Sequence, residues 1–188
     1  MKLRDKKPAL ILIDIQKGFL DEKYCGGNRN NKEAERISGR ILNRWRELNL
    51  PVFHIRHSSA NPKSKLHESD SGFEFNDHVL PQNDEDIITK NVNSAFIGTE
   101  LKEKLDVRKI NTLVILGITT NHCVSTTARM AGNFGYETYV VSDATAAFDR
   151  MGVHGEKYDA ELVHRMALAN LHEEFASILT AEELLEKL

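Results

Sequence analysis

Four short apolar runs, separated by longer stretches with a helical spacing, constrain the fold of this chain more than any other feature. The runs are residues 9–15, 52–55, 112–116 and 138–141, and all are rich in Val, Ile or Leu. Strands that are apolar on both faces are typical of parallel sheets covered by helices. Residues 86–89 and 176–179 are weaker candidates. The alternation predicts an α/β protein with a three-layer, doubly wound fold, in which helices flank a mainly parallel six-stranded sheet.

Helical patterns fill the segments between these strands. Residues 32–48 repeat apolar side chains every three or four positions, which places them on one helix face. We expect further helices over residues 121–133, with Asn121 as the N-cap, and over residues 156–171. The tail TAEELLEKL has a capping threonine followed by acidic residues and predicts a short terminal helix. The length and the absence of a linker predict a single domain over residues 1–188.

Composition narrows the classes of partner and the compartment. The net charge of −3 and the scattered Lys and Arg residues argue against nucleic acid or an anionic membrane as partner. The apolar run after the basic start MKLRDKK is interrupted by Asp14, which favours a buried strand over a signal peptide. Two cysteines cannot form a disulfide framework, so a reducing, cytoplasmic setting is expected. We expect a small-molecule substrate and assembly as a homo-oligomer, a dimer or a tetramer.

Three chemically active side chains fall where predicted strands end. Asp14 ends the first strand, Lys90 follows the strand at 86–89, and Cys123 follows the strand at 112–116 after a polar link. Ligands of open α/β sheets bind at this edge, where an acid, an amine and a thiol can share a proton. A cysteine in the first turn of a helix also has a stabilised thiolate. Each residue alone fits a structural role as well: Asp14 in a turn, Lys90 on the surface and Cys123 in the core.

Three longer stretches resemble a known family. They are LILIDIQKGF at residues 10–19, TKNVNSAFIGTEL at 89–101 and GITTNHCVSTTARMAGNFGYETYVVSDATAAF at 117–148. In this order and spacing they resemble the isochorismatase-like cysteine hydrolases, which include nicotinamidases, N-carbamoylsarcosine amidases and ureidoacrylate amidases. The resemblance spans nearly the whole chain. It implies a hydrolase that cleaves a small-molecule amide or carbamoyl-type C–N bond through a thioester intermediate.

The resemblance also implies roles for individual residues. Asp14 matches the family's acid/base, Lys90 its catalytic lysine and Cys123 its nucleophile. A cis peptide is implied between Ile118 and Thr119, and the backbone N–H groups of Thr119 and Cys123 would form an oxyanion hole. Phe19 matches a residue that lines the substrate pocket in nicotinamidases. Its alternative role is ordinary core packing.

Two departures from the family pattern limit what the resemblance carries over. Nicotinamidases bind a metal through an Asp-x-His pair after the second strand, whereas this chain has HIRHSS there. His57, His67 and His78 remain as possible ligands, but their wide spacing in a polar loop favours no metal. No nucleotide cofactor is expected either, because IQKGFLD after Asp14 lacks a phosphate-binding glycine pattern.

True isochorismatases lack the cysteine and cleave a vinyl ether by acid catalysis. Vinyl-ether hydrolysis with Asp14 as the acid therefore stays an alternative, as does a non-enzymatic protein whose thiol binds or senses oxidants.

Several residues near the predicted site have no assigned role. The loop at 57–85 lacks clear periodicity and is either functional or an ordinary surface loop. The segment at 146–159 offers Phe148, His154 or Tyr158 to a pocket, in its own subunit or a neighbour's. His122 is interpreted as structural, because adjacent helical residues do not face each other. Cys25 is interpreted as a free surface thiol.

Overall fold

The computed structural model describes residues 2–82 and 84–188 and confirms the predicted α/β fold. Its six-stranded sheet is parallel throughout and has the order β3-β2-β1-β4-β5-β8. The strands are β1 (Ala9–Ile13), β2 (Val52–His57), β3 (Asp86–Lys90), β4 (Thr112–Ile118), β5 (Glu137–Ala146) and β8 (Ser177–Leu179). All six correspond to the predicted runs, with shifted ends.

Helices cover both faces of the sheet. They are α1 (Glu22–Cys25), α2 (Ala34–Glu47), α3 (Leu101–Val107), α4 (Ser125–Asn133), α5 (Ala160–Ala169) and α6 (Ala181–Lys187). Alternate residues of each central strand point to opposite faces. Ile11 packs in one core with side chains of α3 and α4, and Leu12 packs in the other with side chains of α2 and α6. The central strands are buried along their whole length, which explains why they read as continuous apolar runs.

The strand order reverses between β1 and β4. From β1 the chain builds outward through β2 and β3, and from β4 it builds the other way through β5 and β8. Such a switch point leaves a crevice beyond the carboxyl ends of the two central strands. Asp14 follows β1 and Cys123 follows β4. The topology therefore brings two of the predicted site residues to this crevice.

The helix predicted over residues 156–171 begins later than expected. Residues Lys157–Tyr158 form strand β7, which pairs antiparallel with β6 (Arg150–Met151) in a small hairpin. Asp159 then caps α5 by accepting a hydrogen bond from the backbone N–H of Leu162. Residues 157 and 158 belong to the hairpin, and the N-cap residue Asp159 lies outside the helix. The helix therefore begins at Ala160 and not at residue 156.

The expected cap at Asn121 is also wrong. Asn121 lies inside a π-helical turn, Thr120–Val124, that precedes α4. Thr180, by contrast, caps α6 as expected, and it forms a capping box with Glu183. Between β2 and β3 the described part of the loop contains two short 3-10 turns, Ser71–Phe73 and Asp77–Val79. Within residues 2–82 and 84–188, no helix has the length and apolar character needed to cross a bilayer.

Candidate active site

Asp14 lies at the first position after β1, in a backbone conformation that turns the chain away from the sheet. Its φ is 52°, which is uncommon for a residue other than glycine. The side chain is fully buried, and its Oδ2 accepts a hydrogen bond of 2.7 Å from Lys90 Nζ. Its other oxygen, Oδ1, is buried without a hydrogen-bond partner among the described residues. A buried carboxylate oxygen without a partner is costly, so it is a natural acceptor for an incoming proton.

Lys90 connects the predicted residues. It is the last residue of β3, and its ammonium donates to Asp14 at 2.7 Å and to Cys123 Sγ at 3.3 Å. Its side chain is completely buried. A buried lysine is retained only where other groups compensate its charge. The structure thus gathers Asp14, Lys90 and Cys123 into one buried cluster.

Cys123 differs from the sequence expectation in its place and in its electrostatics. It lies in the π-helical turn before α4 and not in the first turn of that helix. Burial and, after it, the Asp14 carboxylate raise the pKa of its thiol to about 12 against the opposing effect of Lys90. The expectation of a thiolate stabilised by a helix start is therefore wrong, because burial disfavours the charged form more. The resting thiol is protonated and needs a base.

The turn that carries Cys123 follows a close approach between β4 and β1. The peptide bond between Ile118 and Thr119 is cis, at the bond for which the resemblance implies it. Gly117 has a φ of 135°, and any side chain there would collide with the backbone of Ile13. Only glycine meets both conditions. The chain from Thr119 to Cys123 therefore leaves β4 close to the end of β1, where Asp14 follows.

His57 is a member of the cluster whose role the sequence did not reveal. It is the last residue of β2 and is opposite Lys90 in the β2–β3 register, with its Nδ1 3.3 Å from Lys90 Nζ. Burial lowers the pKa of His57, and the charge of Lys90 lowers it further. The ring is therefore neutral near pH 7, and Nδ1 can accept a hydrogen bond from Lys90. Its position at a strand end was the available signal.

Asn93 is a second neighbour of the nucleophile that sequence reasoning missed. Its Oδ1 lies 3.8 Å from Cys123 Sγ, within reach of a weak hydrogen bond from the thiol. The side chain belongs to an exposed residue, so it borders the nucleophile on the solvent side. Apart from its place in TKNVNSAF, no feature of the sequence identifies Asn93 as a residue of the site.

The histidines proposed as possible metal ligands do not come together. Within the described residues, the one group of potential ligands that converges is Asp14, His57 and Cys123, with ligand atoms within 4.8 Å of one another. His67 hydrogen-bonds Ser69 instead. Oxygen, nitrogen and sulfur donors of this kind suit zinc. However, the Lys90 ammonium contacts all three side chains, so a positive charge already lies among these donors.

A small cavity lies against the turn that carries Cys123. It has a volume of about 130 Å³, and its lining includes Phe19, Cys25, Thr119, His122, Phe148 and Arg150. The rings of Phe19 and Phe148 stack with their centroids 6.3 Å apart. Of the candidates in the segment at 146–159, Phe148 reaches this cavity, whereas His154 and Tyr158 are exposed elsewhere. A larger hollow of about 600 Å³ lies beside Lys7 and Pro51, which precede β1 and β2, and is therefore at the opposite edge of the sheet.

His122 and Cys25, to which sequence analysis assigned no role in the site, line the smaller cavity of about 130 Å³. His122 is half-buried, and burial lowers its pKa, with a further lowering by the charge of Arg150. Cys25 is also half-buried, and burial raises the pKa of its thiol to about 11. The interpretation of His122 as structural stays a prediction, whereas Cys25 is a free thiol as expected but lies half-buried in the cavity wall and not on the open surface. The approach of α1 to the cavity wall, which sequence spacing does not encode, explains the error for Cys25.

Comparisons with known proteins show similarity in sequence and in fold. A family model described as the isochorismatase domain matches residues 8–183. The uncharacterized isochorismatase family protein YrdC of Bacillus subtilis is 49% identical over 181 residues, which is 96% of each chain. A solved structure of an isochorismatase family protein from Chromobacterium violaceum has a TM-score of 0.94 at 36% identity, covering 100% of this chain and 96% of that one. Nicotinamidase 3 of Arabidopsis thaliana is 26% identical, covering 95% of this chain and 87% of the relative.

Proposed function

The chain belongs to the isochorismatase family, whose members are hydrolases, and from this premise we propose that it hydrolyses a small-molecule amide or carbamoyl-type C–N bond with Cys123 as nucleophile. One observation carries the proposal: a single buried ammonium, that of Lys90, donates to both Asp14 and Cys123. A buried acid and a thiol bridged in this way can exchange a proton without water. The similarity to a nicotinamidase supports an amide as the substrate class.

The reaction begins with the protonated thiol. Asp14 accepts the Cys123 proton, and its unpartnered Oδ1 is the available oxygen. The sulfur then forms a bond to the carbonyl carbon, and the carbonyl π electrons move to oxygen. The N–H groups of Thr119 and Cys123 stabilise this oxyanion, the type of interaction that contributes most to many acyl transfers.

Collapse of the tetrahedral intermediate breaks the C–N bond. Asp14 returns its proton to the leaving nitrogen, so ammonia or an amine departs and a thioester remains on Cys123. Water then attacks the thioester while Asp14 accepts a proton, and the acid product leaves as the thiol is restored. The Lys90 ammonium contacts both groups and stabilises the carboxylate and the thiolate in turn.

His57 positions Lys90 in this scheme. Its neutral ring accepts a hydrogen bond from the ammonium at 3.3 Å. The lysine therefore has acceptors on Asp14, Cys123 and His57 at once. A buried lysine with three acceptors is held in one position, because each of its three N–H groups has a partner.

A redox-sensing role for Cys123 is less well supported. Sensor thiols are accessible and have low pKa values, whereas Cys123 is buried and its pKa is raised to about 12. Vinyl-ether hydrolysis with Asp14 as acid would leave the contact between Lys90 and Cys123 without a purpose. Amide hydrolysis uses every member of the cluster.

The deciding experiment is an activity screen over nicotinamide, carbamoyl and ureido compounds with the intact protein, Cys123→Ala and Cys25→Ser. We expect release of ammonia or amine that Cys123→Ala abolishes and Cys25→Ser retains. Turnover that survives Cys123→Ala but not Asp14→Asn would favour acid catalysis. No turnover of any amide, together with reversible oxidation of Cys123, would favour the redox role.

A further inference from the structure

The turn that carries Cys123 is tied to helix α5 by a buried hydrogen bond between two side chains. Thr120, the first residue of the turn, is fully buried, and its Oγ1 lies 2.9 Å from Nδ1 of His164. His164 belongs to α5 and is also buried. Buried hydroxyl and imidazole groups are costly without a partner. Each of the two side chains therefore depends on the other.

The surroundings of His164 determine which of its ring nitrogens donates. Its Nε2 lies 3.5 Å from Nδ2 of Asn31, and that amide donates its two hydrogens to backbone oxygens of β5, at 2.9 and 2.7 Å. An amide nitrogen cannot accept a hydrogen bond, so the ring proton belongs on Nδ1, which donates it to Thr120 Oγ1. Burial lowers the pKa of His164, and the charge of Glu161 opposes this only in part. The ring is therefore neutral near pH 7.

This hydrogen bond lies between the two proposed donors of the oxyanion hole. Thr120 directly follows Thr119, the first donor, and precedes Cys123, the second, by three positions. Two backbone N–H groups of the turn donate to the Thr119 oxygen at 3.2 and 3.3 Å, which is longer than usual. The Thr119 hydroxyl has no partner among the described residues. The contact with His164 is therefore the side-chain anchor at the start of the turn.

We propose that His164 is a positioning residue of the hydrolase site: through Thr120 it holds the two N–H groups of the oxyanion hole in place. This inference rests on the proposed function and adds to it a residue outside the catalytic cluster. Oxyanion donors act where charge develops in the transition state, and a misplacement of about 1 Å can cost roughly 100-fold in rate. Loss of the anchor should therefore slow the chemical step and leave substrate binding nearly unchanged.

The test removes the hydrogen bond from either side with little change in side-chain size. Thr120→Val replaces the hydroxyl by a methyl group, His164→Leu removes the ring nitrogens, and His164→Asn keeps an N–H donor near the position of Nδ1. Thr138→Val is a matched control, because Thr138 is buried and has one hydrogen bond, to the Tyr136 oxygen at 3.2 Å. Thr138 lies at the amino end of β5, which is parallel to β4, and so at the opposite edge of the sheet from Cys123.

The first measurement uses the amide that the unmodified protein hydrolyses fastest in the activity screen. We expect Thr120→Val and His164→Leu each to lower kcat roughly 10- to 100-fold, less than the loss of a whole oxyanion donor, with little change in KM. The double variant should be no slower than the slower single variant, because both changes remove the same contact. His164→Asn should recover most of the loss, and Thr138→Val should keep kcat within about twofold.

Hydrogen exchange followed by mass spectrometry is a second measurement, and it needs no turnover. A peptide covering residues 117–125 should exchange faster in Thr120→Val and His164→Leu than in the unmodified protein, because the turn opens more often without its anchor. Peptides from β1 and β2 should be unchanged. His164→Asn and Thr138→Val should leave the exchange of residues 117–125 as it is in the unmodified protein.

Three results would contradict these expectations in different ways. If Cys123→Ala abolishes turnover but His164→Leu keeps kcat within about twofold, the inference fails and the proposed function stands. Equal losses in His164→Leu and His164→Asn, with faster exchange throughout the sheet, would mean that His164 only packs the core, and would also overturn the inference. If the unmodified protein hydrolyses no amide, the proposed function fails, and the exchange of residues 117–125 still decides whether His164 holds the turn.

Discussion

Two buried ion pairs of this protein differ in how completely their charges are satisfied. In the Arg29–Glu35 pair, both carboxylate oxygens accept hydrogen bonds from the guanidinium, at 2.7 and 2.6 Å. In the Lys90–Asp14 pair, one oxygen accepts at 2.7 Å and the other has no partner among the described residues. The one unsatisfied atom of the first pair, Arg29 Nε, carries a proton that an arginine does not give up.

The difference separates a structural ion pair from a reactive one. Glu35 has no free oxygen that could take a proton, and Arg29 fixes the loop before α2. Asp14 keeps one oxygen free beside a thiol, at the cost of an unmet acceptor. A buried ion pair is weak evidence for stability by itself, because the cost of desolvating the two charges offsets their attraction. The unmatched oxygen, and not burial, identifies the pair that can do chemistry.

Replacing the carboxylate of each pair by an amide tests the difference between the two pairs most directly. Asp14→Asn and Glu35→Gln each replace a carboxylate by an amide of equal size. We expect Asp14→Asn to lower turnover roughly 100- to 10,000-fold, the range for a positioned acid/base. Glu35→Gln should leave kcat per folded molecule within about twofold, because it touches no reacting atom. Comparable losses in both variants, measured with one amide, would remove the distinction.

The free energy of unfolding should depend more on the Arg29–Glu35 pair than on Asp14. Glu35→Gln leaves the Arg29 charge buried without a counter-charge, so we expect the free energy of unfolding to fall by about 3–5 kcal/mol. The double variant Arg29→Met/Glu35→Leu should recover most of that loss, since it removes both charges. Denaturant titrations of the three proteins check this, and a double variant as unstable as Glu35→Gln would contradict it.

The rate of thiol labelling tests how the charge of Asp14 affects the pKa of Cys123. The Asp14 carboxylate raises the pKa of Cys123, and Lys90 lowers it. Neutralising Asp14 should therefore lower that pKa, and alkylation of Cys123 below pH 9 should become faster by about tenfold for each pKa unit gained. Cys25 in the same protein is the internal control, because burial is the main cause of its raised pKa. Slower labelling in Asp14→Asn would mean that Asp14 ionises the thiol before substrate arrives.

The smallest expected effect concerns metals. Lys90 already places a positive charge among Asp14, His57 and Cys123. Two cations cannot share so small a buried space without strong repulsion. Dialysis against a strong chelator should therefore leave turnover unchanged. A loss of activity that added zinc restores would show that the three donors bind a metal in spite of Lys90.

Sequence patterns predicted the centre of the fold well because β1 and β4 are buried along their whole length. All six sheet strands coincide with apolar runs, and even the three residues of Ser177–Leu179 fall within one. Helix α3 was missed, since its seven residues give little periodicity beyond Leu101 and Leu105. The hairpin of β6 and β7 was missed because two-residue strands have no alternation to detect.

The site was predictable as far as the strand-end rule reaches. Asp14, Lys90 and Cys123 were marked by their places after predicted strands and by the family motifs, and the structure brings them together. The contact of His57 with Lys90 depends on the β2–β3 register, which apolar runs do not specify to one residue. The pKa of Cys123 depends on burial, which no linear spacing reveals. Both features depend on distances between residues that are far apart in the sequence, and sequence patterns do not give those distances.

The order of strands also has a consequence in time. Asp14 and Lys90 are separated by 76 positions along the chain, and Lys90 and Cys123 by 33. Their side chains can meet only after β3, β2, β1 and β4 have paired in register. Pairing between distant segments is the slow part of folding. During refolding from denaturant, helical circular dichroism should return first, and enzyme activity should return last as a report that the sheet is complete.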